Sequence, residues 1–581
     1  MGRLTIKIVI ALCMLCNNVL CQISKETFNT LKTSIPQEKV ELHTNANILL
    51  AGETLFYKLY CLNSLERPST VSKIAYVELI GVEKNQLFKH KLKLVGGLAN
   101  GDFFIPSNIE TGNYKIVAYT KWMNNNESNP FYQTDVYIIN PFIPKEFFLE
   151  NKKIFDENQI DIEIKKGDLI IGKKSNGDIK LETNNKSYKT REKVELTFNN
   201  VLEEKGYGNY SLSIRKLDSL EVTKKKSNRI INKVHRENYL PEILGEIISG
   251  QVIAKDDNIN VADKIVSLSI PGTNYVYKNV KTDKAGKFHF NISENYNNSD
   301  AILQVLDKNN ERYDILLDDL SFNFFNQLKY SRVILNENIK DWMLTKSIHN
   351  QIESASHNLK RDSVIYKKPA KLFYGKPSVK YVLDDYKRFP TVKETFVEVV
   401  EEAAVRKYND TFNFKVFNYE ELRNNVFRDY EPLVLFDGNL IQNNSDVLDY
   451  NSNKIESISV VRGIYFYGPS IFNGIIDIKT KKGDFNLPKN RNDLNFISLD
   501  AVKENKIYFN PNYKTQFEDL KRIPDYRNQL LWIPDLTLDF NLKTLKFYTS
   551  DATGIFEILL QGYSLDGKYL KSKEYIEIKK D

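Results

Sequence analysis

The sequence predicts a mainly β, multidomain protein built from antiparallel β-sandwiches. Its 581 residues are too many for a single core, because a domain usually takes roughly 100–200 residues. The chain contains 33 Tyr and 33 Phe but only 3 Trp and 4 Met, a composition that favours strands. Short segments of alternating apolar and polar residues, separated by turn residues, recur along most of the chain, which is the pattern of antiparallel sheets.

Composition and charge exclude several classes of protein. With 41% apolar and 27% charged residues, the chain resembles ordinary globular proteins and is neither disordered nor collagenous. The net charge of +7 is small and the lysines are evenly spread, so we expect no nucleic-acid binding. After the first segment no stretch reaches the ~18 apolar residues of a spanning helix, so we expect no transmembrane segment in the mature chain.

Residues 1–21 have the layout of a secretory signal peptide. A basic start precedes the apolar run 8–16, and small residues then lead to a cleavage site between Cys21 and Gln22. Lipid attachment at Cys21 is the alternative, although Leu20 stands where such sites need a small residue. We therefore predict export. Cleavage leaves Cys61 as the single cysteine of the mature chain, which excludes an internal disulfide.

Strand patterns and turn residues divide the chain into seven segments. In the second sandwich, for example, Val194, Leu196 and Phe198 point one way and Glu195 and Thr197 the other. The segments are a signal peptide (1–21), a first β-sandwich (22–141), a second β-sandwich (142–240), a smaller third sandwich (241–322), a helical connector (323–394), an α+β unit (395–485) and a C-terminal β-sandwich (486–581).

One helix is predicted within residues 335–360. This stretch lacks Pro and Gly, and Ile339, Trp342, Met343 and Ile348 recur at roughly helical spacing.

The α+β unit contains the one candidate site in the sequence. An apolar strand at 432–436 ends in Asp437 and Gly438, and a two-residue hairpin turn there requires positive φ at both positions. Asp437, Gly438 and Asn439 therefore have two interpretations. They form a structural turn that lets the strand share a sheet with residues 454–461, or they form an exposed turn that contacts a partner.

Several motifs resemble known families. ETLFYKLY, YVELIG, LANGDFFIP and TGNYKIVAYTKWM, within 53–123, resemble a macroglobulin-type domain of exported Bacteroidota proteins. ISGQVIAKD and KTDKAGKFHF, within 248–290, resemble a carboxypeptidase regulatory-like domain, which is a transthyretin-like sandwich. PLVLFDGNLI, KIESISVVRG and YGPSIFNGIIDIKTKKG, within 432–483, resemble the plug domain of TonB-dependent outer-membrane receptors. The plug resemblance implies a partner that is an outer-membrane barrel or another cell-envelope protein.

The chain also departs from these families. Only 98 residues follow Gly483, too few for the receptor's transmembrane barrel. Cys61 is followed by Leu62, Asn63 and Ser64, which is not the thioester motif of protease-trapping macroglobulins. The carboxypeptidase regulatory-like module carries none of the enzyme's zinc ligands, so this resemblance implies no peptidase.

No recognised catalytic, cofactor or metal motif occurs in the sequence. There is no HExxH, no G-x-S-x-G, no P-loop and no paired Cys. The histidines are scattered over different predicted units; they are His43, His90, His235, His289, His349 and His357. We predict that the chain is not an enzyme and has no cofactor or metal site. The alternative is a hydrolase whose site is assembled from loops of different domains.

Together these observations predict an exported, non-enzymatic binding or scaffold protein. We expect an accessory component of an outer-membrane complex for TonB-dependent transport or assembly, on the periplasmic or the cell-surface side. A surface adhesin or matrix component is the alternative.

Overall fold

A computed structural model gives the fold, and its internal contacts divide the chain into two compact units. Unit 1 is formed by Leu244–Leu320 and Lys367–Val502, and unit 2 by Ile35–Ile243, Ser321–Tyr366 and Lys503–Asp581. The structure describes residues 30, 32–83, 86–126, 131–143, 161–167, 179–199, 207–224, 239–256, 258–296, 300–307, 309–318, 328–365, 371–408, 411–417, 430–513, 522–539 and 544–580. The predicted signal peptide and its cleavage residues Cys21 and Gln22 lie outside these ranges.

Strands account for most of the regular structure. Up to residue 224 they are β1 (Glu38–Thr44), β2 (Ile48–Leu50), β3 (Thr54–Asn63), β4 (Ile74–Ile80), β5 (Gln86–Lys93), β6 (Leu98–Phe104), β7 (Gly112–Tyr119), β8 (Tyr132–Ile139), β9 (Asp161–Lys166), β10 (Lys180–Thr183), β11 (Ser187–Lys189), β12 (Lys193–Asn199), β13 (Gly208–Lys216) and β14 (Leu220–Lys224). The middle of the chain adds β15 (Glu246–Ala254), β16 (Ile265–Ile270), β17 (Val276–Lys281), β18 (Lys287–Ile292), β19 (Asp300–Val305), β20 (Tyr313–Leu317), β21 (Arg332–Leu335), β22 (Ser363–Val364), β23 (Val379–Val382), β24 (Ala403–Tyr408) and β25 (Thr411–Val416).

The remaining strands are β26 (Leu433–Phe436), β27 (Asn439–Leu440), β28 (Ile455–Tyr467), β29 (Ser470–Thr480), β30 (Asn495–Ser498), β31 (Lys506–Ile507), β32 (Gln529–Leu538), β33 (Thr544–Tyr548), β34 (Gly554–Ser564) and β35 (Tyr569–Lys579). The α-helices are α1 (Lys340–Ala355), α2 (Val392–Glu398) and α3 (Ser445–Leu448). Short 3-10 helices occupy Trp122–Asn125, Asn310–Arg312, Glu337–Ile339, His357–Leu359, Leu383–Asp385 and Ser452–Lys454. The predicted mainly β, multidomain fold class is confirmed.

The first sandwich of unit 2 packs a sheet of order β1-β3-β6 against a sheet of order β2-β8-β7-β4-β5. Alternate residues of β1 are buried, as a strand with one face on a core requires. Leu42, Leu59 and Val77 belong to the resulting core, and Cys61 is buried with them. The cysteine is therefore a packing residue of this sandwich.

The second sandwich of unit 2 differs from the prediction, because it takes strands from two distant parts of the chain. One sheet has the order β11-β35-β34-β13-β32 and another the order β10-β12-β33. The segments 142–240 and 486–581, expected to form separate sandwiches, thus share their sheets. Alternation of apolar residues indicates which face of a strand is buried but not which strand pairs with it, so the sequence pattern could not reveal this arrangement.

Helix α1 forms where a helix was predicted. Ile339, just before the helix, is buried, whereas Ile348 is 47% exposed. The side chains buried along α1 include Lys346, whose ammonium lies 2.8 Å from Asp218 and 3.3 Å from Glu53. Trp342 and Met343 pack on the core that contains Ile339, so apolar contacts and ion pairs with residues distant in sequence both fix this helix.

Unit 1 begins with a sandwich formed largely by the segment whose motifs resemble a transthyretin-like domain, and we call it the transthyretin-like sandwich. Its sheets have the orders β18-β15-β20 and β17-β16-β19-β30. Strand β30 comes from the segment that was predicted to form the C-terminal sandwich, and it pairs with β19. Phe288 and Phe290 of β18 lie in the core between the two sheets.

The segment whose motifs resemble a plug domain contributes to a five-stranded sheet of order β23-β28-β29-β26-β27, which we call the plug-like sheet. Four residues of β28 and β29 form one core with Val392 and Phe396 of α2; they are Ile458, Val460, Ile476 and Ile478. The opposite face carries Leu433, Leu435 and Ile475, which pack with Tyr275 and Tyr277 of the transthyretin-like sandwich. One face of this sheet is therefore covered from outside the predicted α+β unit.

In the part of the chain that the structure describes, no helix has the length and apolar content needed to cross a membrane.

Candidate binding surface

The predicted turn at Asp437 and Gly438 is a two-residue hairpin turn between β26 and β27. Phe436 pairs with Asn439, and the φ angles of Asp437 and Gly438 are 47° and 84°. Both are positive, as this turn type requires. Strand β26 also pairs with β29, which pairs with β28, so the turn serves the shared sheet that the structural interpretation predicted.

Side-chain hydrogen bonds fix the turn to the following segment. The Asp437 carboxylate accepts bonds from the Thr480 amide (2.8 Å), the Thr480 hydroxyl (2.6 Å) and the Phe485 amide (2.9 Å). The Asn439 amide group donates to the carbonyls of Phe436 and Phe485 at 3.0 and 3.1 Å. The polar side chains of the turn are therefore used inside the unit.

The turn is also covered by another part of unit 1. Asp437 is 2% and Asn439 0% exposed, and a Cβ added at Gly438 would lie 2.1 Å from the Cβ of Tyr275. An exposed turn that contacts a partner does not agree with this burial. The turn is an internal contact between the plug-like sheet and the transthyretin-like sandwich, and the partner surface has to be sought elsewhere.

A buried carboxyl group lies in the same layer of unit 1. Asp477 of β29 is 1% exposed, and its Oδ2 accepts hydrogen bonds from the hydroxyls of Tyr374 (2.5 Å) and Tyr275 (2.8 Å). Burial raises the pKa of the Asp477 carboxyl, and these tyrosine hydrogen bonds oppose that shift. The ammonium of Lys479 lies 5.2 Å from the Tyr275 ring centre. These contacts make Asp477 a polar anchor between the two parts of the unit.

The end of the β28–β29 hairpin presents aromatic residues at the surface of the unit. The register shifts between Val461 and Ile464, where Gly463 adopts a φ of 93°, and beyond this bulge the hairpin continues to Tyr467 and Ser470. Phe466 is 66% exposed, although large apolar side chains are usually buried.

Aromatic packing holds this hairpin end in place. The Phe373 ring centre lies 4.5 Å from that of Tyr467 and 6.2 Å from that of Tyr465. The Tyr465 hydroxyl donates to the Phe373 carbonyl at 3.0 Å, and the Tyr467 hydroxyl donates to the Tyr277 carbonyl at 2.6 Å. We call Phe373, Tyr465, Phe466 and Tyr467 the aromatic hairpin surface. It is a fixed display of aromatic side chains, and such side chains dominate binding at protein interfaces.

The sequence analysis did not select the aromatic hairpin surface, although the sequence contains a signal for it. The tripeptide Phe-Tyr-Gly occurs at 373–375 and again at 466–468. Both copies lie at the same end of the folded unit, where Phe373 contacts Tyr467.

The structure does not bring the histidines together. His43 and His90 lie on β1 and β5, His289 on β18, His349 on α1 and His357 in a 3-10 helix, whereas His235 lies outside the described ranges. Within those ranges, no group of three or more His, Cys, Asp or Glu residues is arranged to hold a metal ion.

Comparisons with known proteins give only distant likenesses. No protein-family model and no curated protein matches the sequence. Among solved structures, the chain is similar to Salmonella alpha-2-macroglobulin reacted with methylamine, with 8% identity, coverage of 94% of this chain and 40% of that chain, and a TM-score of 0.24. Escherichia coli alpha-2-macroglobulin activated by porcine elastase gives 9% identity, 94% and 44% coverage and a TM-score of 0.24. Dimeric latent PorU from Porphyromonas gingivalis gives 10% identity, 52% and 34% coverage and a TM-score of 0.16. The chain spans about two fifths of the length of these macroglobulins, and identities and TM-scores this low do not assign a function.

Proposed function

We propose that this chain is an exported, non-enzymatic binding or scaffold protein, an accessory component of an outer-membrane complex for TonB-dependent transport or assembly. The partner is an outer-membrane barrel or another cell-envelope protein, and the contact is made by the aromatic hairpin surface of unit 1. The layout of residues 1–21 supports export, and the plug-like motifs support a partner at the outer membrane.

The observation that carries the proposal is the exposure of Phe466 on a hairpin that the rest of unit 1 holds in place. The plug-like sheet is covered on one face by α2 and on the other by Tyr275 and Tyr277, so the unit needs no barrel of its own to bury its core. Phe466 nevertheless remains 66% exposed. An exposed aromatic residue on a rigid support loses little conformational entropy when it binds.

Affinity purification of the full chain from native outer membranes tests the proposal. We expect one barrel protein to be recovered in fixed ratio with the wild-type chain, and its recovery to be lost with Phe466→Ser. Phe104→Ser is the matched control, because Phe104 is 52% exposed and lies in unit 2. Equal recovery with both variants would contradict a contact through the hairpin. A chain absent from the outer-membrane fraction but digested by protease added to intact cells would favour the adhesin or matrix alternative.

A further inference from the structure

Three neighbouring loops of unit 2 each project an aliphatic side chain into solvent. Leu65, Val95 and Leu565 are 66%, 64% and 72% exposed. They lie between β3 and β4, between β5 and β6, and between β34 and β35, respectively. We call these three side chains the loop-tip cluster.

Close backbone packing makes the loops neighbours. A Cβ at Gly97 would lie 2.8 Å from the carbonyl oxygens of both Cys61 and Ser69, and a Cβ at Gly567 would lie 2.6 Å from that of Leu65. A real Cβ would clash at these distances, so only glycine fits at positions 97 and 567. The loop that carries Leu65 is therefore packed between the other two.

Local hydrogen bonds hold each tip in its outward position. The Asn63 side-chain oxygen accepts from the amide of Leu65 at 2.9 Å. The amide of Val95 donates to the carbonyl of Leu98 at 2.9 Å, and the Ser564 hydroxyl accepts from the amide of Lys568 at 3.0 Å. The aliphatic side chains are thus presented by fixed turns, which reduces the entropy lost on binding.

Tyrosines lie on the strands that lead into and out of two of these loops. Tyr60, Leu62 and Tyr563 form a small core with Leu98. Tyr569, which is 45% exposed, has its ring centre 5.5 Å from that of Tyr563. Exposed aliphatic residues with a half-exposed tyrosine on the adjoining strand match the change from hydrocarbon to headgroups at a membrane surface.

The formal charges of the three loops sum to +1, because Lys73 at the end of the first loop is the one charge left over. Glu66 and Asp566 offset Arg67 and Lys568, and Glu66 also pairs with Lys39. The loops therefore offer apolar contact with a net charge of only +1, which fits an uncharged apolar medium better than a strongly charged surface.

We propose that the loop-tip cluster is a lipid-contact site, which inserts Leu65, Val95 and Leu565 into the surface of a bilayer. The tips are separate and convex, so a folded protein would need a matching cavity for each of them, whereas lipid deforms around all three. This inference deepens the proposed function and rests on its location at the outer membrane. It uses residues of unit 2 and none of the aromatic hairpin surface.

Co-sedimentation of the full purified chain with vesicles tests the inference. The vesicles are made of phosphatidylcholine alone or of phosphatidylcholine and phosphatidylglycerol in equal amounts. We expect binding to both, because apolar insertion requires no anionic lipid. We expect the double variant Leu65→Ser/Leu565→Ser to bind vesicles at least about tenfold more weakly than the wild type. Leu344→Ser is the matched control, because Leu344 is 60% exposed on α1, and it should bind like the wild type.

A second measurement avoids any dependence on the stability of the double variant. We expect the fluorescence of Leu565→Trp to be quenched by brominated lipid in the vesicles, and that of Leu344→Trp not to be quenched. Absence of wild-type binding, unchanged binding of the double variant, or binding to anionic vesicles only would each overturn the inference. The inference would also be overturned if the chain captured a protein in detergent through Leu65 and Leu565 but did not bind vesicles. The two proposals can fail separately, since Phe466→Ser should leave vesicle binding unchanged.

Discussion

Gly438 illustrates how one position can carry two independent constraints. Its φ of 84° is strained for any residue with a Cβ, and the Tyr275 side chain fills the space that a Cβ would occupy. Gly375 has a similar φ of 71°, but a Cβ there would meet no atom within 4 Å. Gly375 is therefore a comparison position, where a Cβ would cause backbone strain but would not clash with another residue.

Gly438→Ala should lower the free energy of unfolding by about 3 kcal/mol or more, because strain and overpacking add. Gly375→Ala should lower it by about 1 kcal/mol, since only the strain applies. Urea unfolding of the two variants measures the difference. Equal losses would show that Tyr275 does not restrict the turn.

Asp477→Asn should change how stability depends on pH. Burial raises the pKa of Asp477, so the folded state holds this proton more tightly than the unfolded state, and the stabilising effect is lost as pH rises through the folded-state pKa. Asn cannot ionise but still accepts from the tyrosine hydroxyls. The free energy of unfolding of the variant minus that of the wild type should therefore grow between pH 4 and pH 8. A difference that stays constant or shrinks over this pH range would contradict a raised pKa for Asp477.

The sequence allowed the turn at Asp437 and Gly438 to be predicted, because turn chemistry depends on adjacent residues. It did not reveal that Asn439 is buried, because Tyr275, whose side chain covers the turn, is far away along the chain. Asn439→Ala would therefore remove a buried amide group, since Asn439 is 0% exposed and donates to two carbonyls.

Among the elements, α1 shows the limit of apolar periodicity. The helix was predictable from its composition, but its buried face depends on Lys346, which is 4% exposed. The partners Glu53 and Asp218 lie on other parts of the chain, and a pattern within one segment carries no information about them. Burial of the lysine is possible only because both carboxylates are present.

Lys346→Ala should lower the free energy of unfolding of unit 2 by about 3 kcal/mol, because it removes one partner of a buried ion pair. Lys340→Ala, an exposed lysine in the first turn of the same helix, should change it by less than about 0.5 kcal/mol. Thermal or urea unfolding followed by circular dichroism measures both. Similar effects of the two substitutions would contradict the buried network.

For the whole molecule, the shared second sandwich means that distant segments of unit 2 depend on each other. Leu560 of β34 is 1% exposed and pairs with Leu212 of β13. Leu560→Ala should cost about 2–5 kcal/mol and lower hydrogen-exchange protection in both 208–216 and 554–564. Leu565→Ala, an exposed position in the same hairpin, should change protection little. Loss confined to 554–564 would favour two separate sandwiches.

The central claim is that the aromatic hairpin surface contacts an outer-membrane partner. Photo-crosslinking in intact cells, with benzoylphenylalanine in place of Phe466, tests it most directly. Val397 of α2 is the control position, because it is 68% exposed in the same unit. The account predicts one crosslinked outer-membrane barrel or other envelope protein from position 466 and none from position 397. No crosslink from position 466, or the same products from both positions, would contradict it.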